Sequence, residues 1–281
     1  MHIGIRAHDI GRLPATELAQ RVAAKGLSCV QLAVNKAIAE INLVPGRGDL
    51  TPGLAWSIDR AFAAAQVQIA VLGCYINLSH PDPAARAPLM AYFKEHLRYA
   101  RDFGCAIVGT ETGSLNGDWS FHPDNQGEEA FKALVPRVAE LVQEAERFGV
   151  IVGIEGVASH VLNSPARIRR LLDEVGSGNL QVIFDPVNLL SVQNHREQER
   201  ILKESFDLFG DRIAVVHAKD FIPEGGTLRQ VRTGGGGMGQ LRYDILLPWL
   251  RQRKPGIAVL LEEASEGTAE ECVAYMKAHA G

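Results

Sequence analysis

The feature that most constrains this chain is a regular alternation. Eight short apolar runs recur along it, each followed by a longer stretch with helical periodicity. The runs cover residues 3–6, 29–34, 67–73, 106–110, 150–155, 180–185, 213–217 and 257–262. Several are apolar throughout, as expected for parallel strands covered on both faces. Between them, Leu54, Ile58 and Phe62 fall at i, i+4 and i+8, and Leu134, Val138, Leu141, Val142 and Ala145 form a second helical stripe. Thr51-Pro52 and Ser164-Pro165 each offer an N-cap followed by proline at the first helical position. Phe103-Gly104, Phe148-Gly149 and Phe209-Gly210 place a glycine where a left-handed C-cap is wanted. A last helix is expected over 268–279.

Eight strand–helix units predict an α/β fold, a single (β/α)₈ TIM barrel in one domain over residues 1–281. The main rival, a doubly wound open sheet, would usually carry a glycine-rich phosphate turn after its first strand. Arg6-Ala7-His8-Asp9-Ile10-Gly11 is not one. With 46% hydrophobic and 22% charged residues the chain has the balance of an ordinary globular protein. A net charge of −4 argues against a non-specific grip on nucleic acid, which needs a basic surface. Four scattered cysteines without a CxxC pair suggest neither a zinc knuckle nor a disulfide framework. Reduced thiols and an N-terminus that enters a strand pattern at once fit a cytoplasmic protein. No apolar run reaches the ~18 residues of a membrane span. The expected partner is a small molecule, with no nucleic acid and no membrane; a homo-oligomer is compatible.

In a barrel, chemistry gathers at the C-terminal ends of the strands. The polar residues there are Arg6 or His8, Gln31, Asn77, Glu111, Glu155, Asp185, His217 and Glu262. The last four each end an apolar run directly. Three carboxylates converging on one point would repel one another, and burial would add to the cost. One divalent cation removes that problem, and three oxygen ligands with one imidazole suit Mn²⁺, Mg²⁺, Co²⁺ or Zn²⁺. The plainer reading is that each residue caps a strand or pairs with a nearby Lys or Arg. Periodicity does not choose between Glu262 and Glu263, because that strand is apolar on both faces; we assign Glu262, directly after the apolar run.

Other residues carry two readings each. His8, His80 and His160 lie just beyond strands one, three and five, as substrate contacts or as loop histidines bonded to backbone. Glu111 faces the pocket or pairs with a rim arginine. Lys219 holds a substrate hydroxyl or phosphate, or pairs with Asp220 or with neighbours at the barrel rim. The run Gly234-Gly235-Gly236-Gly237, close after Arg229 and Arg232, is a turn or lid, or an anion nest. Trp119 and Phe121 wall the pocket or shield a subunit contact.

Five elements together carry a resemblance: Gly153-Ile154-Glu155; Phe184-Asp185-Pro186-Val187-Asn188; Val216-His217-Ala218-Lys219-Asp220; the glycine-rich stretch 234–239 followed by Tyr243; and Leu260-Leu261-Glu262. In these the chain resembles the sugar phosphate isomerase/epimerase family of xylose-isomerase-like barrels. That family also includes ketose 3-epimerases, hydroxypyruvate isomerase, inosose dehydratases and an endonuclease IV branch. The resemblance implies Glu155, Asp185, His217 and Glu262 as metal ligands, with Glu155 and Glu262 also the catalytic acid/base pair. Family members commonly carry D-x-x-H after the sixth strand, where this chain has Asn188. Asparagine hydrogen-bonds a hydroxyl but ligates metal poorly, which weakens a multi-metal nuclease reading. His8, Glu111, Asn188 and Lys219 are the candidate substrate contacts. The expected activity is a divalent-metal-dependent isomerase or epimerase acting on a small sugar, sugar phosphate, keto-sugar or cyclitol. The alternative is a dehydratase of the same fold acting on an inosose or keto-acid. Behind these stand an abasic-site endonuclease and a non-catalytic sugar-binding barrel.

Overall fold

All eight expected strands form and close on one another in the computed structural model, which describes residues 1–279. In chain order the strands are β1 (His2–Arg6), β2 (Cys29–Leu32), β3 (Gln68–Gly73), β4 (Ile107–Glu111), β5 (Ile151–Glu155), β6 (Leu180–Phe184), β7 (Ile213–Ala218), β8 (Asp220–Glu224), β9 (Thr227–Val231) and β10 (Ala258–Leu261). The barrel is β1 to β7 plus β10. Every neighbouring pair in it is parallel, and β1 closes the ring by pairing with both β2 and β10. β8 and β9 form a separate antiparallel hairpin above the end of β7. The segment 224–239 therefore carries β9 and a short 3₁₀ turn at Gly235–Gly237.

The alternation of a strand decides which residues meet inside the ring. Cys29, Val71, Ile183, Val215 and Leu260 form one small buried cluster, the floor of the barrel. Gly109 and Gly153 complete this floor by lacking a side chain. A Cβ on Gly109 would lie 2.6 Å from the Ile183 side chain, and one on Gly153 would lie 3.0 Å from it. The space they leave is filled by Ile183, whose burial contributes about 1.5–3 kcal/mol. Two residues further along each strand comes the next inward layer: Arg6, Gln31, Glu111, Glu155, Asp185, His217 and Glu262. An apolar floor thus carries a polar roof, because the period of a strand is two.

The outer helices begin and end largely as the sequence indicates. Thr51 accepts the N–H of Leu54 at the start of Pro52–Ala64, and Ser164 accepts that of Arg167 at the start of Pro165–Val175. Gly104 and Gly149 take the left-handed C-cap conformation, with φ of 64° and 61°. Gly210 does not: its φ is −57°. Glycine is needed there for space instead, since a Cβ would lie 2.6 Å from the Trp249 ring. The final helix is Ala269–His279. Among the described residues no helix is long and apolar enough to cross a membrane.

Candidate metal centre and substrate cavity

Each member of the polar layer is fixed by local sequence. Asp185 opens the turn Asp185-Pro186-Val187-Asn188, where its Oδ1 accepts the N–H groups of Val187 at 2.8 Å and Asn188 at 3.0 Å. This is an aspartate turn, with proline presetting the backbone. It commits Oδ1 and leaves Oδ2 facing the barrel axis without a hydrogen-bond donor. Lys219 Nζ lies 2.9 Å from that Oδ2 as an ion-pair partner, and 2.9 Å from Glu262 Oε2, to which it donates a hydrogen bond. Lys219 does not pair with Asp220. Asp220 accepts the N–H groups of Phe221 and Leu241 and so ties the hairpin to the barrel.

His217 is fully buried. Its Nε2 meets the Gln31 carbonyl oxygen at 2.8 Å, while the Gln31 amide donates to the Tyr75 hydroxyl at 2.8 Å. In the neutral ring that chain makes Nε2 the protonated nitrogen and Nδ1 the one whose lone pair could ligate a cation. Nδ1 makes no hydrogen bond, yet stands 3.1 Å from Glu262 Oε1 and 3.3 Å from Glu155 Oε2. Glu155 is held by Asn188, whose Nδ2 donates to Oε1 at 2.6 Å. Asn188 is held in turn by Gln230 of β9, which donates to its carbonyl at 3.1 Å.

The donor set fits a divalent cation. Glu155, Asp185 and His217, all buried, offer ligand atoms within 4.8 Å of one another. One of these, His217 Nδ1, is a buried polar atom without a hydrogen bond, the kind of group a bound ion would satisfy, while Asp185 Oδ2 accepts no hydrogen bond and has the Lys219 ammonium as its ion-pair partner. Two carboxylates and an imidazole whose far nitrogen is oriented by a carbonyl are a common arrangement around Zn²⁺, Mn²⁺ or Mg²⁺. Glu262, expected as the fourth ligand, touches the same imidazole but shares its other oxygen with Lys219. Glu262 is the residue of its pair that faces the centre. Glu263 turns outward with φ of 55°, its side chain 39% exposed and 3.3 Å from Arg6.

The electrostatics follow from burial and crowding. Burial alone would lower the His217 pKa, but Glu155 and Glu262 beside it raise it to about 9. Burial works against the Lys219 charge too, yet Asp185 and Glu262 win and hold it above the ordinary lysine range. Burial and the neighbouring Glu155 push Glu111 up to about 8. His8 and His160 are driven down to about 4, in both cases chiefly by burial.

Above this layer lies a cavity of about 310 Å³, within the range of small-molecule sites. His8, Glu111, Asn188, Lys219 and Glu262 line it, as do Arg6, Gln31, Lys36, Tyr75, His160 and Gln230. The four residues read as substrate contacts therefore share one cavity. Glu111 meets His160, with Nδ1 3.4 Å from Oε2, rather than a rim arginine. Trp119 packs 5.7 Å from the His160 ring. His80 is not among the cavity residues; its ring nitrogen accepts the Asp82 N–H. Arg229 and Arg232, read as helpers of an anion nest, are paired with Glu224 and Glu271. Sequence reasoning gave no role to Lys36 or Gln230. Lys36 lies outside any strand end, and Gln230 arrives on a hairpin with no signal of its own.

Comparison with solved structures agrees with the barrel fold. The chain is similar to 3-keto-D-glucoside 4-epimerase of E. coli, at 15% identity, TM-score 0.73 and 99% of both chains covered. A putative xylose isomerase from Rhodospirillum rubrum gives 17% identity, TM-score 0.75 and 99% of both chains. The IOLI protein, solved with a bound zinc atom, gives 16% identity and TM-score 0.71 over 99% of this chain and 96% of the other. At such identities the likeness is one of fold. No curated protein matches the chain at the level of sequence. A family model described as "Xylose isomerase-like TIM barrel" matches residues 19–279, and the chain belongs to that family of enzymes.

Proposed function

We propose that this enzyme is a divalent-metal-dependent isomerase or epimerase that moves a proton next to the carbonyl of a small sugar, sugar phosphate, keto-sugar or cyclitol. One observation carries the reading. Two carboxylates, Glu155 and Glu262, flank a single imidazole nitrogen at 3.3 and 3.1 Å beneath a cavity of sugar size. The cation, held by Glu155, Asp185 and His217 with Glu262 as fourth ligand, would supply a Lewis acid for the substrate oxygen as charge develops on it. The protein's own groups do the rest. Asn188 holds Glu155 Oε1, so that the carboxylate keeps one orientation while it takes or returns a proton. Glu262, on the other flank of β7, takes the opposite face of the substrate. Lys219 offers its ammonium at the cavity wall to a substrate hydroxyl or phosphate. Use of both glutamates gives epimerisation; return of the proton to the adjacent carbon gives isomerisation.

Dehydration is a second reading, favoured by Glu111. A carboxyl with its pKa pushed up to about 8 is protonated at neutral pH and able to donate to a departing hydroxide. The test is a screen of ketoses, sugar phosphates and inososes in D₂O with Mn²⁺, followed by metal removal and NMR of the products. Deuterium at carbon with an isomeric product supports the first reading, and loss of water the second. A metal-replete protein that neither exchanges a substrate proton nor releases water refutes both. Glu155→Gln and Glu262→Gln should each lower turnover by about 10² or more.

A further inference from the structure

The cavity over the metal centre does not end at Asn188. A second cleft of about 420 Å³ opens beside it and shares Val157, Asn188 and Gln230 with it. The two halves differ in chemistry. Seven of the twelve residues lining the first are arginine, lysine, histidine or glutamate, whereas the eleven lining the second include no acidic or basic side chain. In their place stand the Gln126 and Gln193 amides, the Ser159 and Ser191 hydroxyls, and the Phe121 ring, 53% exposed. Those four polar side chains have no hydrogen-bond partner among the described residues.

Free amides and hydroxyls both donate and accept, as a rim of sugar hydroxyls requires. An aromatic ring gives the C–H face of a sugar a large contact area at little entropic cost. A charged substituent would lose hydration in this cleft without gaining a partner. We infer that the cleft is a subsite for a neutral glycosyl group, so that the substrate is a glycoside: one ring over Glu155 and Glu262, the second against Phe121. This rests on the proposed sugar chemistry and narrows its substrate class.

The test compares binding of maltose and cellobiose with that of glucose, by calorimetry on the Mg²⁺-loaded enzyme. At least one disaccharide should bind about tenfold more tightly than glucose. Phe121→Ala should bring that ratio close to one, and Phe121→Trp should restore it. Trp56→Ala removes an exposed aromatic from an outer helix and should leave the ratio in place. Equal affinities, a ratio indifferent to Phe121→Ala, or no binding of any of the three sugars overturns the subsite. Solvent-deuterium exchange separates this from the proposed reaction. Preferential, Phe121-dependent binding without exchange on any keto-sugar keeps the subsite and removes the reaction. Exchange on single-ring keto-sugars with no preference for two rings does the reverse.

Discussion

Replacing Lys219 with methionine tests whether the centre is built to trade an internal cation for a metal. The ammonium lies 2.9 Å from Asp185 Oδ2 and 2.9 Å from Glu262 Oε2, and all three residues are buried. Methionine keeps the stem and removes the charge, leaving two buried carboxylates short of a partner. Breaking a buried pair in this way costs about 3–5 kcal/mol. Arg6, 3.4 Å from Glu262 Oε2, remains as partial compensation and favours the lower end. At about 2.1 cal/mol/K per residue, a chain of 281 residues has an unfolding entropy of roughly 0.6 kcal/mol/K. The variant should therefore melt about 5–8 °C below the parent in chelator. Excess Mg²⁺ or Mn²⁺ brings positive charge to the same carboxylates and should close at least half of that gap. Differential scanning calorimetry of both proteins, with chelator and with metal, reads the four melting temperatures. A deficit of equal size in both conditions would show that Lys219 and the cation do not share carboxylates. No deficit at all would remove the ion pair from the stability of the fold.

Gln31→Leu removes the oxygen that receives His217 Nε2–H and should weaken metal binding about 10–100-fold, measured by competition with a chelating dye; unchanged affinity would deny Gln31 its orienting role. Glu263→Gln should retain most turnover, since its side chain points to Arg6 and solvent; an inactive variant would place the wrong glutamate at the centre. His96 lies buried on an outer helix with its pKa lowered to about 4 by burial, so the fold resists its protonation. The stability it contributes is complete above the unfolded value of 6.5 and is lost as pH falls toward 4, up to about 3 kcal/mol, because the unfolded chain then binds the extra proton. His96→Gln should flatten that part of a stability–pH curve obtained by urea titration, and an identical slope would refute the assignment.

The barrel was legible because its strands are covered on both faces and therefore apolar end to end, while its helices show one apolar stripe. Two local signals misled in instructive ways. Gly210 sits where a left-handed cap is expected, but the ring of Trp249, distant in sequence, is what demands glycine there. No propensity scale sees that contact. The hairpin β8–β9 was hidden because it is a solvent-facing ribbon rather than a core strand: Thr227, Arg229 and Gln230 are exposed, and proline interrupts β8. Its pairing is made by backbone groups, which leave no hydrophobic pattern behind.

At the centre, Glu155, Asp185, His217 and Glu262 stood out because each is the first ionisable group after an apolar run, a position that in a barrel has one geometric meaning. What surrounds them did not stand out, because those contacts join residues far apart in the chain. Lys219 reads from sequence as a substrate contact, or as a partner for Asp220 or for other residues at the rim. Yet the strand period of two puts Lys219 on the same inward face as His217 and sends Asp220 to the hairpin. The Asn188 that departs from the usual histidine gains its meaning only from Gln230, 3.1 Å away and on a different element. An imidazole at that position could ligate or take a proton. An amide held between Gln230 and Glu155 does neither, but it fixes the orientation of the carboxylate. The same two amides border the uncharged cleft. Asn188 thus leaves the proposed metal ligands alone and shapes the wall between the cavity and the neighbouring cleft. On the proposed reading, specificity would be set by residues such as Asn188, Gln230 and Phe121, and the acid–base chemistry by the residues at the strand ends.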